Sequence, residues 1–142
     1  MNQYQGTVAR KVEFAGVGLH SGKHVTLTVK PAEPNTGIVF YRSDLKNSSP
    51  IQAISENITA TTLCTTIGVG DQTISTIEHL MAAFMGLGID NALVYVDSDE
   101  LPILDGSSAP FVDKFNAIGV QRQNEKRTYF QLDETIQVSW AD

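Results

Sequence analysis

The stretch Ser75 to Asn91, STIEHLMAAFMGLGIDN, constrains the fold more than any other part of the 142-residue chain. Ile77, Leu80, Met81, Phe84 and Met85 recur at helical spacing and predict one apolar face. Ser75 is the expected N-cap, and Gly86 and Gly88 mark where the helix can stop. Ala82 and Ala83 make the opposite face small where a solvated helix would carry charge, so close neighbours are expected on both sides. Glu78 and His79 fall in the first turn. The partial positive charge there favours an ionised carboxylate and a neutral imidazole, the states suited to a general base and a metal ligand. The simpler reading must stand beside this, and the residues alone favour it. Ser75-Thr76-Ile77-Glu78 fits a capping box, with Glu78 bonding back to the Ser75 amide and His79 an ordinary half-buried histidine.

Around this helix the chain alternates in short runs. Thr7 to Phe14 predicts a strand through Val8, Val12 and Phe14. Gly16 to Lys23 is a turn, and Val25, Leu27 and Val29 resume the period of two to complete a hairpin. Pro31, Pro34, Asn35 and Gly37 turn the chain into the strand Ile38 to Tyr41, and 43–50 is a polar loop. The Thr-rich segment 59–67 is centred on Leu63 and Cys64, the latter expected as a small core residue of an apolar strand. Ile89 to Asp97 is apolar on both faces and predicts cover on both. A second helix is expected from Ser108 through Pro110, Phe111, Val112, Phe115 and Ile118 to Gly119. Residues 121–127, QRQNEKR, read as a linker. The even positions Phe130, Leu132, Ile136, Val138 and Trp140 then predict a further strand, whose unpaired apolar edge would invite association.

Composition excludes several classes of function. Apolar content of 42% with 18% charged residues is that of a folded domain. A net charge of −6 without a Lys/Arg cluster argues against nucleic acid as a partner. No transmembrane segment or signal-peptide core is present, and a cytoplasmic location is the expectation. Cys64 is the one cysteine, so neither an intrachain disulfide nor a cysteine-based zinc cluster can form. His20 and His24 flank a turn and could converge on a metal, but such pairs more often simply border a hairpin. Position 75 is Ser, which rules out an H-x-x-E-H helix. Gly16, Gly18 and Gly22 open no helix and are better read as turn residues than as a phosphate cradle. From the residues alone, the candidate site is one carboxylate and one imidazole where a helix begins.

Four motifs carry a specific resemblance: GVGLHSG (16–22), STIEHLMAA (75–83), GLGIDN (86–91) and PILDGSSAPF (102–111). Their order and spacing resemble the zinc-dependent UDP-3-O-acyl-N-acetylglucosamine deacetylase family of lipid A biosynthesis, over its N-terminal half. The resemblance implies an α+β fold: a two-layer α/β sandwich, a mostly antiparallel sheet packed against two helices, as the first of two similar domains. The implied division is a domain over 1–120, a linker over 121–128, and the opening strand of a second domain over 129–142. It also implies roles. His79 would ligate zinc and Glu78 would be general base for the activated water. His20, Leu63 and Cys64 would lie near the substrate, and Asp105 would be positional. The remaining zinc ligands would come from the missing C-terminal domain, so the chain alone is expected to be inactive on UDP-3-O-acyl-N-acetylglucosamine. The alternative is a non-catalytic binding or assembly module that keeps the same fold, and a third possibility is a two-layer domain with no site.

Overall fold

In the computed structural model, residues 3–140 are described. The strands are β1 (Tyr4–Val8), β2 (Val12–Val17), β3 (His24–Pro31), β4 (Ile38–Arg42), β5 (Ile51–Gln52), β6 (Ile58–Ala60), β7 (Thr66–Val69), β8 (Gln72–Ile74), β9 (Ala92–Val96) and β10 (Val120–Lys126). Helices α1 (Glu78–Leu87) and α2 (Ala109–Ile118) complete the set, with a short 3-10 turn at Ser55–Asn57. The predicted α+β, mostly antiparallel architecture is the one observed. A five-stranded sheet runs β2-β3-β9-β4-β5, in which only the β4–β9 pair is parallel. The pairings Phe14↔Leu27, Leu27↔Val96 and Phe40↔Val94 set its inner face. Against that face α1 and α2 bury Leu80, Ala83, Phe84, Phe111 and Phe115. Phe14 meets Phe111 and Phe115 at ring-centroid separations of 4.9 and 5.5 Å, and Phe84 meets Phe115 at 5.2 Å. This aromatic cluster joins the two layers.

Several local expectations are corrected. Thr7 to Phe14 is not one strand: the chain turns after Val8, and β1 leaves the main sheet to pair with β10. The segment 121–127, expected as a linker, therefore supplies most of β10, with Val8↔Val120 and Thr7↔Gln121 in register. Apolar periodicity could not show this strand, because Gln123 alone of its residues is buried. The burial is made good by polar pairing. Gln123 accepts a hydrogen bond from the Asn91 side chain at 2.8 Å and donates to the Ala32 carbonyl at 2.8 Å. In α1 the buried set is Leu80, Ala83 and Phe84, and Met85 is 87% exposed. The apolar face is thus rotated toward Ala83, whose small side chain suits a position packed into the core near α2. Ala82 and Gly86 are exposed with Met85, so only one side of α1 is covered. On β9 the second face is likewise half open: Tyr95 stacks on Tyr41 at 5.1 Å with the Lys30 ammonium over its ring at 4.4 Å. Residues 128–140 form no strand, and Phe130, Leu132, Ile136, Val138 and Trp140 are exposed. Residues 141–142, at the end of the expected strand, lie outside the described residues.

The helix ends show why the GLGIDN motif has its composition. Gly88 closes α1 in the left-handed region at φ 70°. A side chain at Gly6 would run into the Gly88 carbonyl, so β1 passes directly beneath the helix end. Asp90 accepts from the Gly6 amide at 2.7 Å and pairs with Arg127 at 2.9 Å, while Arg127 also donates to the Gly88 carbonyl. Buried Asn91 donates to Gln5 and Gln123 and accepts from the Gly37 amide. The motif is a junction that fixes one end of α1 to β1, β4 and β10. The other end carries the candidate chemistry.

Candidate functional site

The small antiparallel sheet β6-β7-β8 delivers the chain to α1. Ser75 is not the cap expected of it. Its amide and hydroxyl both donate to the Asp99 carbonyl, and it forms a parallel bridge with Glu100. Thr76 follows at φ 58°, a conformation costly for a β-branched residue, and Ile77 precedes the first helical residue, Glu78. The capping box is therefore absent: α1 has no side-chain cap, and Glu78 turns elsewhere.

Its partner is the loop between β6 and β7. Glu78 Oε1 accepts a hydrogen bond from the Thr65 amide. That loop carries Leu63, held at φ 66° and 87% exposed, and Cys64, which is half-buried. Cys64 is thus not the core strand residue expected: it lies in a bend, its Sγ 3.9 Å from Thr66 Oγ1. The other oxygen of Glu78 is the notable one. Oε2 is buried and has no hydrogen-bond partner among the described residues. A buried carboxylate oxygen without a donor is costly unless another group completes it. The neighbouring His79 ring is half-buried and makes no hydrogen bond to a described residue.

A second loop reaches the same helix start from β2 and β3. It carries His20, and its anchor is Glu100, a residue the sequence reading missed. Glu100 is 2% exposed. Its Oε1 lies 3.0 Å from the His20 amide, 2.9 Å from His20 Nδ1 and 3.0 Å from the Thr76 hydroxyl, and its Oε2 accepts from the Ser21 amide at 2.8 Å. Burial by itself would raise the carboxyl's pKa. The His20 amide, the Ser21 hydroxyl and amide and the His20 ring outweigh it and hold the group at about 2. Gly18 answers to the same anchor, since a side chain there would collide with Glu100 Oε2 and Ser21 Oγ. No sequence signal marks Glu100, because Asp97-Ser98-Asp99-Glu100 reads as a solvated acidic turn.

The structure thus connects Leu63, Cys64 and His20 to the root of α1 through Thr65 and Glu100. Asp105 stands apart: its Oδ1 accepts from the Ser107 amide and hydroxyl at 2.9 and 2.8 Å, shaping the entry to α2. His24 is exposed on β3, opposite Val17. Among the described residues no group of three or more His, Cys, Asp or Glu side chains could hold a metal ion.

Fold and site together define a two-layer α+β domain that presents a carboxylate and an imidazole at a helix start, roofed by two loops. The chain belongs to the UDP-3-O-acyl-N-acetylglycosamine deacetylase family, whose model matches residues 5–142. It is 50% identical over 139 residues to the UDP-3-O-acyl-N-acetylglucosamine deacetylase of Geobacter sp. (strain M21), covering 98% of this chain and 46% of that protein. The enzyme of the same name from Brucella melitensis biotype 2 is 44% identical over 146 residues, covering 100% of this chain and 51% of that protein. The chain spans about half the length of the curated relatives it matches.

Proposed function

We propose that the chain is the N-terminal half of a zinc-dependent amide hydrolase that removes acetate from UDP-3-O-acyl-N-acetylglucosamine in cytoplasmic lipid A biosynthesis. The observation that carries this reading is the buried Oε2 of Glu78, unpartnered among the described residues, beside His79. A carboxylate used only as a cap would bond an amide of its own helix start, and an oxygen left over would face water. Here one oxygen is held by the Thr65 amide and the other awaits a donor, which is the arrangement a general base requires.

The donor set suits one zinc ligand, the neutral imidazole of His79, with the remaining ligands contributed by a second domain beginning near residues 129–142. Bound there, zinc would supply Lewis acidity, lowering the pKa of water and polarising the acetamide carbonyl. Glu78 Oε2 takes the proton from the attacking water, and the same carboxyl returns a proton to the departing sugar amine. Oε1, tethered to Thr65, keeps the carboxylate from swinging away between the two transfers. His20, Leu63 and Cys64 lie on the loops beside this centre as substrate contacts, and Asp105 sets the loop that leads into α2.

In the complete enzyme, Glu78→Gln is expected to lower kcat by about 10²–10⁴-fold, the usual worth of general acid–base catalysis, while leaving bound zinc unchanged. Turnover within a few-fold of the unsubstituted enzyme, with zinc content measured on the same sample, would refute the base assignment.

A further inference from the structure

Among the polar side chains of the described residues, Glu100 has an environment made wholly of donors. The His20 amide, the His20 ring, the Thr76 hydroxyl and the Ser21 amide converge on its two oxygens. An ionised carboxylate accepts from all of them, whereas an amide would turn its NH₂ against at least one N–H. The contacts reach back 80 residues along the chain to His20 and 24 to Thr76. Resting on the deacetylase reading, we propose that Glu100 is a positioning residue: its carboxylate fixes the His20 ring with Nδ1–H turned inward, and locks the His20 loop to Thr76 at the root of α1.

Two geometric consequences follow. With Nδ1 committed to Glu100, the nitrogen left for the substrate side is Nε2, so the tautomer of neutral His20 is set by a residue that need not touch substrate. Thr76 is held at φ 58° by the same oxygen that holds the His20 ring. Thr76 is two residues before Glu78, so the strained turn that aims Glu78 and His79 into α1 and the loop that presents His20 move as one body. A carboxyl held at about 2 stays charged across the whole working range, which keeps this clamp closed.

The test has two arms. In the 142-residue chain labelled with ¹⁵N-histidine, long-range ¹H–¹⁵N spectra in alkaline buffer should show the neutral His20 ring as the Nδ1–H tautomer. Glu100→Gln should lose that signature. Thr76→Val, which removes one donor and leaves the carboxylate, should keep it. In the complete enzyme Glu100→Gln should lower kcat by on the order of 10²-fold, the cost of misplacing reacting groups by about an ångström. KM and zinc content should stay near those of the parent. An Nε2–H tautomer in the unsubstituted chain would overturn the proposal without any variant, which covers the case in which Glu100→Gln fails to fold. A folded Glu100→Gln with the parent's tautomer and a kcat within twofold would overturn it equally. Absence of deacetylase activity in the unsubstituted complete protein would instead strike the proposed function, and the tautomer arm would still decide the role of Glu100.

Discussion

Glu100 and Gly18 form a lock whose parts are individually unremarkable. The glycine is required by the neighbour, not by its own backbone: Gly18 has no left-handed φ, but a methyl group there would meet the carboxylate and the Ser21 hydroxyl. Gly18→Ala is therefore expected to destabilise the chain by about 1–3 kcal/mol, the cost of overpacking, read as a lower urea midpoint. An unchanged midpoint would mean that the 18–22 loop yields without loss. The carboxyl of Glu100 also predicts an acid response. Its pKa is about 2 in the folded chain against an ordinary value of 4.5, so the unfolded chain takes up the proton first as pH falls. Its contribution, about 3 kcal/mol by that difference, is complete above about pH 5.5 and drains away as the pH drops through 4.5 toward 2. In Glu100→Gln the slope of stability against pH across that window should flatten, whatever the variant's absolute stability. At this scale the sequence made Glu78 and His79 visible, because their significance is local: adjacent residues at a helix start. Glu100 was invisible because its partners lie in loops far along the chain, and an acidic run gives no hint which member is buried.

The elements were legible in proportion to how much of their stability comes from an apolar face. The second helix came out of the sequence with its Phe111 and Phe115 stripe and both ends in place, and the hairpin of β2 and β3 with its alternation intact. Helix α1 was legible in extent but not in its start or rotation. Ser75 was claimed by a strand bridge to Glu100, and the capping box gave way to a Thr76 turn that no propensity favours. Strand β10 was missed because amides, not apolar side chains, fill its single buried position. The exposed face of α1 offers a clean check on its helical character. Gly86 lies within α1, has no left-handed φ, and a methyl group there would meet nothing within 4 Å. Gly86→Ala should therefore raise stability by about 0.5–1 kcal/mol through reduced freedom of the unfolded chain. A higher thermal midpoint with an unchanged circular dichroism spectrum checks it. A loss of stability would show that position 86 is occupied by a neighbour in this chain.

On the scale of the molecule, the core and the candidate centre differ in how much of each this chain supplies among its described residues. The buried cluster from Val8 to Phe115 closes around two layers, so the domain does not depend on other chain for its interior. The candidate site is different in kind. It supplies one imidazole and one carboxylate, with Oε2 of the latter unpartnered among the described residues, and Leu63 on the adjoining loop stands exposed. A catalytic zinc takes about three protein ligands, and among the described residues no cluster of that size exists. Zinc titrated into the 142-residue chain by calorimetry is therefore expected to bind more weakly than about 1 μM, short of the roughly 8 kcal/mol that affinity represents. That residual binding should be nonspecific. His79→Ala should then change it little, since surface carboxylates contribute as much as the imidazole. Stoichiometric nanomolar binding abolished by His79→Ala would overturn the expectation: it would mean that this domain assembles a full ligand set by itself, and that the second half of the relatives' length serves substrate instead of metal.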